Sequence, residues 1–355
     1  MLAPEPAAGN LSFAPLTFSD LRGFAADDHS EAFAVFQRSC AAIADRRAPP
    51  RAAIAPSPAL AAICRRALAL RAVSGADARL FFEDHFRPFR VNRAEGAEPA
   101  GFFTGYYEPV VEGSLTQTEA FAAPVLSPPA DLAACGAPAR AAIEAGALAG
   151  RAHPIVWLRD PIEVFMIQVQ GSGRVRLADG RLLRLVYAGR NGLPYSSIGR
   201  ILIERGAIKA EEMSLAALKA SVRAAGQAQG EAGAALMQSN ESYVFFRFEA
   251  ALDDREGPVG GAGLSLTPLR SLAVDRNIHA YGTPIWIDAE IPWESSAPTP
   301  FRRLMIAQDT GSAIIGPARA DIFFGSGDAA GARAGDIRHA GEFVIFLPVE
   351  EGSLR

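Results

Sequence analysis

Residues 305–327 have the sequence Met-Ile-Ala-Gln-Asp-Thr-Gly-Ser-Ala-Ile-Ile-Gly-Pro-Ala-Arg-Ala-Asp-Ile-Phe-Phe-Gly-Ser-Gly. Two aspartates, Asp309 and Asp321, stand here beside short apolar runs that predict buried strands. The run Ile-Phe-Phe follows Asp321 directly and is expected to exclude water from its carboxyl group. Because desolvation disfavours the charged form, it raises the pKa of a carboxyl group, as a general acid near neutral pH requires.

A third aspartate, Asp275, ends the apolar segment Ser271-Leu-Ala-Val and precedes Arg-Asn. Asp309 similarly precedes Thr-Gly. Aspartates in such positions often form turns by accepting hydrogen bonds from nearby backbone amides. The local pattern therefore leaves two roles open for each of them, catalysis or turn formation.

These three segments resemble the three-aspartate domain of the membrane-bound lytic murein transglycosylase A family. Four further stretches, at 101–109, 168–173, 187–199 and 240–246, match the same family in the same order: Gly-Phe-Phe-Thr-Gly-Tyr-Tyr-Glu-Pro, Gln-Val-Gln-Gly-Ser-Gly, Tyr-Ala-Gly-Arg-Asn-Gly-Leu-Pro-Tyr-Ser-Ser-Ile-Gly and Asn-Glu-Ser-Tyr-Val-Phe-Phe. The resemblance covers roughly residues 100 to 348. The first hundred residues match poorly, and no functional residue is carried over from them.

Composition predicts a globular enzyme rather than a nucleic-acid-binding protein. The chain has 355 residues, 49% of them hydrophobic, which is enough for a large core and suggests two domains. Its formal net charge of −4 provides no basic footprint for nucleic acid. The 21 Phe, 6 Tyr and 3 Trp residues include aromatic faces that suit neutral sugar rings, although most are expected in the core.

The cysteine and histidine residues predict no metal site and no cofactor. The five histidines are scattered, and the three cysteines, Cys40, Cys64 and Cys135, form no C-x-x-C motif. Cys40 and Cys64 fall on two predicted neighbouring helices, so a disulfide between them in an oxidising compartment is one alternative. Three buried thiols are the other.

Periodicity predicts a helical N-terminal lobe, with helices over 30–46 and 58–86, followed by short strands. Strands are expected at 165–170, 174–177 and 182–187, with a hairpin turn at Asp179-Gly180. Helices are expected over 196–205, 214–225 and 231–238. Gly260-Gly-Ala-Gly lacks the strand–turn–helix context of a dinucleotide fingerprint, so a tight loop is predicted there.

The resemblance implies a mainly β fold, in which a double-psi β-barrel main domain carries an inserted smaller β domain, with a groove between them. Residues 1–107 together with 245–355 would form the barrel domain, including the helical lobe at 28–88. Residues 108–244 would form the inserted β domain with helices and one wall of the substrate groove. Sites at domain interfaces are common, so this expectation is physically reasonable.

The resemblance also implies an activity, that of a peptidoglycan lytic exotransglycosylase, a lyase. Such enzymes cleave the β-1,4 bond between N-acetylmuramic acid and N-acetylglucosamine without water and leave a 1,6-anhydro ring. By residue-level match, Asp321 would first protonate the glycosidic oxygen and then accept the proton of the C6 hydroxyl. Asp309 would orient the loop and favour protonated Asp321, because a nearby negative charge raises a carboxyl pKa. Asp275 would be mainly structural.

Contacts to the glycan are expected from the other matching segments. They are Thr104, Tyr107, Gln170, Ser172, Tyr195, Ser196 and Gly316. Packing in the core is the alternative for each side chain. Tyr107 is preferred over Tyr106, because strand alternation places only one of the two on a given face. Glu108 is assigned no role.

Two other functions remain open at this point. A hydrolase would use Asp309 and Asp321 as a carboxylate pair and produce reducing ends. A non-catalytic polysaccharide-binding barrel would cleave nothing, because fold alone does not fix function.

The substrate implies a periplasmic location, facing the cell wall. The first residues, Met-Leu-Ala-Pro-Glu-Pro, lack the basic and apolar regions of an export signal. Association with the outer membrane would therefore depend on an export or lipid signal that is absent from this chain. Peptidoglycan glycan strands are the expected partner. No exposed heptad pattern is present, so a monomer is expected.

Overall fold

The computed structural model describes residues 11–93, 101–132, 138–249 and 256–349. These residues divide into two compact units. The barrel unit contains 11–93, 101–106, 259–325 and 336–349, and the sheet unit contains 107–132, 138–249, 256–258 and 326–335.

Fourteen strands and nine α-helices lie within these described ranges. The strands are β1 (Leu11–Pro15), β2 (Phe86–Arg93), β3 (Gly101–Glu108), β4 (Val110–Ser114), β5 (Ala123–Leu126), β6 (Pro154–Leu158), β7 (Ser172–Arg176), β8 (Leu182–Arg190), β9 (Val244–Phe248), β10 (Ser271–Val274), β11 (Pro284–Ile291), β12 (Thr299–Asp309), β13 (Arg319–Ser326) and β14 (Arg338–Pro348). The helices are α1 (His29–Ala44), α2 (Pro58–Ala69), α3 (Gly75–His85), α4 (Arg140–Glu144), α5 (Pro161–Gln170), α6 (Ile198–Glu204), α7 (Leu215–Ala224), α8 (Ala232–Gln238) and α9 (Asp328–Gly335).

Six strands of the larger sheet close into a barrel. Their order is β14-β11-β12-β10-β13-β3, and β3 pairs back to β14. Strands β2 and β1 extend the sheet from β14. Strand β10 runs parallel to β12 and antiparallel to β13, which brings the segments that carry Asp275, Asp309 and Asp321 together. The mainly β barrel architecture predicted from sequence is confirmed.

Helices α1 to α3 form an apolar layer that packs against barrel strands of the same unit. Phe33, Phe36 and Phe82 are almost fully buried and share a cluster with Trp286 of β11 and Leu304 of β12. Helix α1 begins at an Asp cap, since the Asp28 carboxylate accepts hydrogen bonds from the backbone N–H groups of residues 30 and 31.

The helix predicted over 58–86 is two helices. Leu70 has an extended conformation that ends α2. Ser74 then starts α3 with a capping box, in which its hydroxyl accepts from the Asp77 N–H while the Asp77 carboxylate accepts from the Ser74 N–H. The continuous prediction was wrong because it gave the Ser-x-x-Asp start signal too little weight.

Cys40 of α1 and Cys64 of α2 form a disulfide, so the first of the two cysteine alternatives is the one observed. Both residues are fully buried between the helices. Cys135 lies outside the described residues.

Replacing both Cys40 and Cys64 by Ala is expected to lower the free energy of unfolding by about 3 kcal/mol, because a cross-link at a sequence separation of 24 restricts the unfolded chain. Urea unfolding of the oxidised wild type, the reduced wild type and the double variant measures this effect. Reductant should destabilise the wild type and leave the variant unchanged. Equal stability with and without reductant in the wild type would contradict the prediction.

The sheet unit contains a six-stranded sheet of order β5-β6-β4-β7-β8-β9. Strand β7 pairs antiparallel with β8 and parallel with β4. Strand β9 pairs with β8 in this sheet. The domain boundary predicted from sequence instead assigns residues from 245 onward to the barrel domain. Glu108, which the sequence analysis left without a role, is fully buried and bonds to both Arg174 and Arg184.

The strand predicted at 165–170 is wrong, because these residues lie in helix α5. Asp160 caps that helix, Pro161 occupies its first turn, and Gly171 ends it in the left-handed conformation with φ of 81°. Because buried residues lie on nearly every side of α5, its sequence is a short continuous apolar run without a helical period. Periodicity cannot distinguish such a run from a buried strand. In the part of the chain that the structure describes, no helix is long and apolar enough to span a membrane.

Candidate active site

Asp321 lies on β13, where it is half-buried and accepts a hydrogen bond at Oδ1 from the Thr104 hydroxyl at 2.7 Å. Burial raises the pKa of the Asp321 carboxyl group. The Arg319 guanidinium and the Thr104 hydrogen bond lower it, whereas the negative charge of Asp309 raises it further. Ile322 and Phe323, which the sequence predicts to desolvate this group, are fully buried.

Asp309 ends β12, and both of its carboxylate oxygens are engaged. Oδ1 accepts hydrogen bonds from the backbone N–H groups of Gly261 at 2.7 Å and Thr310 at 2.8 Å. Oδ2 accepts one from the Tyr106 hydroxyl at 3.0 Å. Gly261 belongs to the predicted tight loop, in which the Gly263 N–H donates to the Gly260 carbonyl. Asp309 therefore connects this loop to β3 and β12.

Tyr106 is a neutral phenol near both carboxyl groups. Burial raises its pKa well above the ordinary value, and the charges of Asp309 and Asp321 act in the same direction. Its ring packs beside Phe323, with 5.3 Å between the ring centroids. The phenol consequently remains a hydrogen-bond donor to Asp309 over the whole range of physiological pH.

Tyr106 is the tyrosine of β3 that bonds to Asp309, whereas Tyr107 is the one that the sequence analysis preferred as a sugar contact. Alternation along β3 places Thr104 and Tyr106, two residues apart, on the same face. Tyr107 lies in the sheet unit, is 4% exposed, and has its ring where a Cβ on Gly331 would clash with it.

Asp275 joins a turn to the loop between β12 and β13. Its Oδ1 accepts from the Asn277 N–H at 3.0 Å, and its Oδ2 accepts from the Gly316 N–H at 2.9 Å. Gly316 has φ of 114°, which L side chains rarely adopt, although a Cβ there would meet no atom within 4 Å. The backbone conformation, rather than lack of space, therefore requires glycine at this position.

The remaining sequence-predicted contacts belong to the sheet unit. Gln170 is the last residue of α5, and its Oε1 accepts from the Tyr107 N–H at 3.0 Å. Ser172 is 7% exposed at the start of β7. The Ser196 N–H donates to Asn240 at 3.1 Å, and Tyr195 is half-buried. Roles for these residues in sugar binding stay predictions, and so does that of Tyr107.

The helix that follows Tyr195 and Ser196 is capped by Ser197, whose hydroxyl accepts from the Arg200 N–H. Within the described ranges, no three His, Cys, Asp or Glu side chains are grouped so that they could hold a metal ion.

Two family models match the chain. The "MltA specific insert domain" matches residues 102–247, and the "3D domain" matches residues 270–347. The second range contains Asp275, Asp309 and Asp321, and the first contains Thr104 and Tyr106.

Individual proteins agree with these matches. The membrane-bound lytic murein transglycosylase A of Vibrio cholerae is 39% identical over 67% of this chain, and the match spans 63% of that relative's length. The crystal structure of a membrane-bound lytic murein transglycosylase from Agrobacterium tumefaciens is 32% identical with a TM-score of 0.82, covering 95% of this chain and 98% of that one. Escherichia coli MltA with bound chitohexaose is 28% identical with a TM-score of 0.67, covering 98% and 94%. The family resemblance is thereby confirmed: this chain belongs to the membrane-bound lytic murein transglycosylase A family.

Proposed function

We propose that this protein is a lytic exotransglycosylase that cleaves the β-1,4 bond between N-acetylmuramic acid and N-acetylglucosamine in peptidoglycan. The names of the Vibrio and Agrobacterium relatives support the reaction class. The chitohexaose bound to the E. coli structure supports a β-linked sugar polymer as the substrate.

Asp321 acts as both acid and base. In its protonated form it donates to the glycosidic oxygen as the bond from that oxygen to C1 of the muramoyl residue breaks. The C6 hydroxyl of the same residue then attacks C1, and its proton returns to Asp321. The product carries a 1,6-anhydro ring, no water is consumed, and the carboxyl group ends protonated as it began. A carboxyl pKa raised by burial suits the first step.

The engagement of Asp309 is the observation that carries the choice of a single acid/base. A hydrolase of the two-carboxylate type needs a second carboxylate that is free to attack C1 or to activate water. Both oxygens of Asp309 already accept hydrogen bonds, from two backbone amides and from Tyr106. We therefore assign to Asp309 the fixing of the loop and the raising of the pKa of Asp321, and to Asp275 a structural role.

The finer assignments from sequence extend this proposal. The substrate is the glycan strand of peptidoglycan, and residues of the matching segments contact it. The protein works as a monomer in the periplasm, facing the cell wall. Its association with the outer membrane stays a prediction. The domain limits, 1–107 with 245–355 and 108–244, stay predictions.

Digestion of purified peptidoglycan by the wild type is expected to give muropeptides lighter by one water than the products of a hydrolase. Mass spectrometry of the products, with and without prior borohydride reduction, makes the distinction, because anhydro ends resist reduction. Reducing ends would instead support the carboxylate-pair hydrolase. Binding without cleavage would support the polysaccharide-binding barrel.

A further inference from the structure

The Thr104 hydroxyl lies between two charged side chains of β13. Its Oγ1 is 2.8 Å from Nη2 of Arg319 and 2.7 Å from Oδ1 of Asp321. Contacts with Ala320 and Phe102 also hold Arg319 in place. Its Nη1 donates to the Ala320 carbonyl at 2.5 Å, and its guanidinium lies 5.3 Å from the centre of the Phe102 ring.

The direction of these hydrogen bonds follows from donor chemistry. A guanidinium carries N–H donors and no acceptor, so Arg319 donates to the Thr104 oxygen. The single hydrogen of the Thr104 hydroxyl then points to Asp321 Oδ1, since a hydroxyl has one donor and two acceptor positions. Because Arg319 occupies one acceptor position of the Thr104 oxygen, it favours the orientation in which the hydroxyl donates to Asp321.

A carboxyl oxygen that receives a hydrogen bond is the less favourable oxygen to protonate. Among the described residues, Oδ1 accepts the Thr104 bond and Oδ2 makes no hydrogen bond. We propose that Arg319 is a positioning residue that, through Thr104, fixes the transferable proton of Asp321 on Oδ2. This inference rests on the proposed acid/base role of Asp321.

The same arrangement tunes the charge of Asp321. Among the described residues, the groups that face its carboxyl group are Arg319 on its own strand, Thr104 and Tyr106 on β3, and Asp309 on β12. Arg319 and Thr104 favour the carboxylate, whereas burial and Asp309 favour the acid. Without Arg319, burial and Asp309 would raise the pKa of Asp321 further. The carboxyl group would then be a weaker acid and would protonate the glycosidic oxygen less readily.

The test is the pH profile of kcat/KM for anhydro-muropeptide formation by Arg319→Met and Arg319→Lys. The reaction starts from protonated Asp321. As the pH rises past the pKa of this group, Asp321 ionises and activity falls, which gives the alkaline limb of the profile. Arg319→Met should move the alkaline limb up by about one pH unit, as expected for loss of a neighbouring opposite charge. It should also lower kcat about tenfold. Arg319→Lys keeps the charge and a donor, and its alkaline limb should stay near that of the wild type.

A double-mutant cycle with Thr104→Val separates the hydroxyl from the charge. Thr104→Val should lower kcat about tenfold, and Thr104→Ser should restore it, since it keeps the hydroxyl. If Arg319 acts through Thr104, the double variant should lose less kcat than the product of the fold-losses of Arg319→Met and Thr104→Val. An alkaline limb of Arg319→Met that coincides with the wild-type limb, or fully multiplicative kcat effects, would overturn the proposal. An inactive wild type would instead refute the proposed function.

Discussion

Asp321→Asn is expected to lower the rate of anhydro-muropeptide formation by a factor of about 10² to 10⁴, the usual contribution of a general acid or base. Asparagine has nearly the same shape and can still accept the Thr104 hydrogen bond at its amide oxygen. It cannot donate the proton that the glycosidic oxygen needs. Rates are measured by chromatography of the soluble products released from purified peptidoglycan.

Asp179→Asn is the matched control, because that aspartate is exposed in a hairpin turn of the sheet unit and bonds only to Arg181 within the described residues. Its activity should equal that of the wild type. An Asp321→Asn enzyme within threefold of the wild-type rate would remove Asp321 from the mechanism.

The stability of Asp321→Asn shows whether the lost activity comes from lost structure. Because burial raises the folded-state pKa of Asp321, ionising this group costs the folded state free energy, and the cost appears as pH rises above the unfolded-state pKa. Asparagine carries no such cost. The variant should therefore melt at the same temperature as the wild type or higher at neutral pH, and a clearly lower melting temperature would indicate a structural role.

The sequence predicted those features of the site that depend on neighbouring residues. Ile322 and Phe323 directly follow Asp321, so its desolvation could be predicted without knowing the fold. The Asp309 turn likewise depends on the adjacent Thr310 N–H. The family match then identified the barrel, which local periodicity could not establish.

The features that the sequence analysis missed depend on pairing between distant strands. Thr104 and Asp321 are 217 positions apart, and their contact exists because β3 lies beside β13 in the closed barrel. The choice between Tyr106 and Tyr107 depends on the same pairing, since alternation gives two faces but not which one meets the aspartates. Arg319 is two residues from Asp321, yet the sequence does not show that Thr104 of β3 bonds to both side chains. The proposed role of Arg319 depends on that contact.

The N-terminal layer is joined to the barrel by a buried ion pair that the sequence analysis did not predict. Arg270 is completely buried, and its guanidinium donates to both carboxylate oxygens of Asp27 at 2.7 and 2.9 Å. It also donates to Glu31 and to the Leu304 carbonyl. The Asp27 side chain is only 2% exposed. Arg270 is its nearest cation, and the Arg303 guanidinium lies farther away at 3.8 Å.

Arg270→Met is expected to lower the free energy of unfolding by about 3 kcal/mol, because it removes the nearest cation of the buried Asp27 carboxylate and leaves the more distant Arg303 at 3.8 Å. Urea unfolding measures this loss. Arg181→Met is the control, since the exposed Arg181–Asp179 pair should contribute little to stability. The double variant Asp27→Asn with Arg270→Met removes both charges and should lose less than the sum of the single losses. Additive losses would mean that Arg270 stabilises the barrel by packing and by its Leu304 bond, not by compensating Asp27.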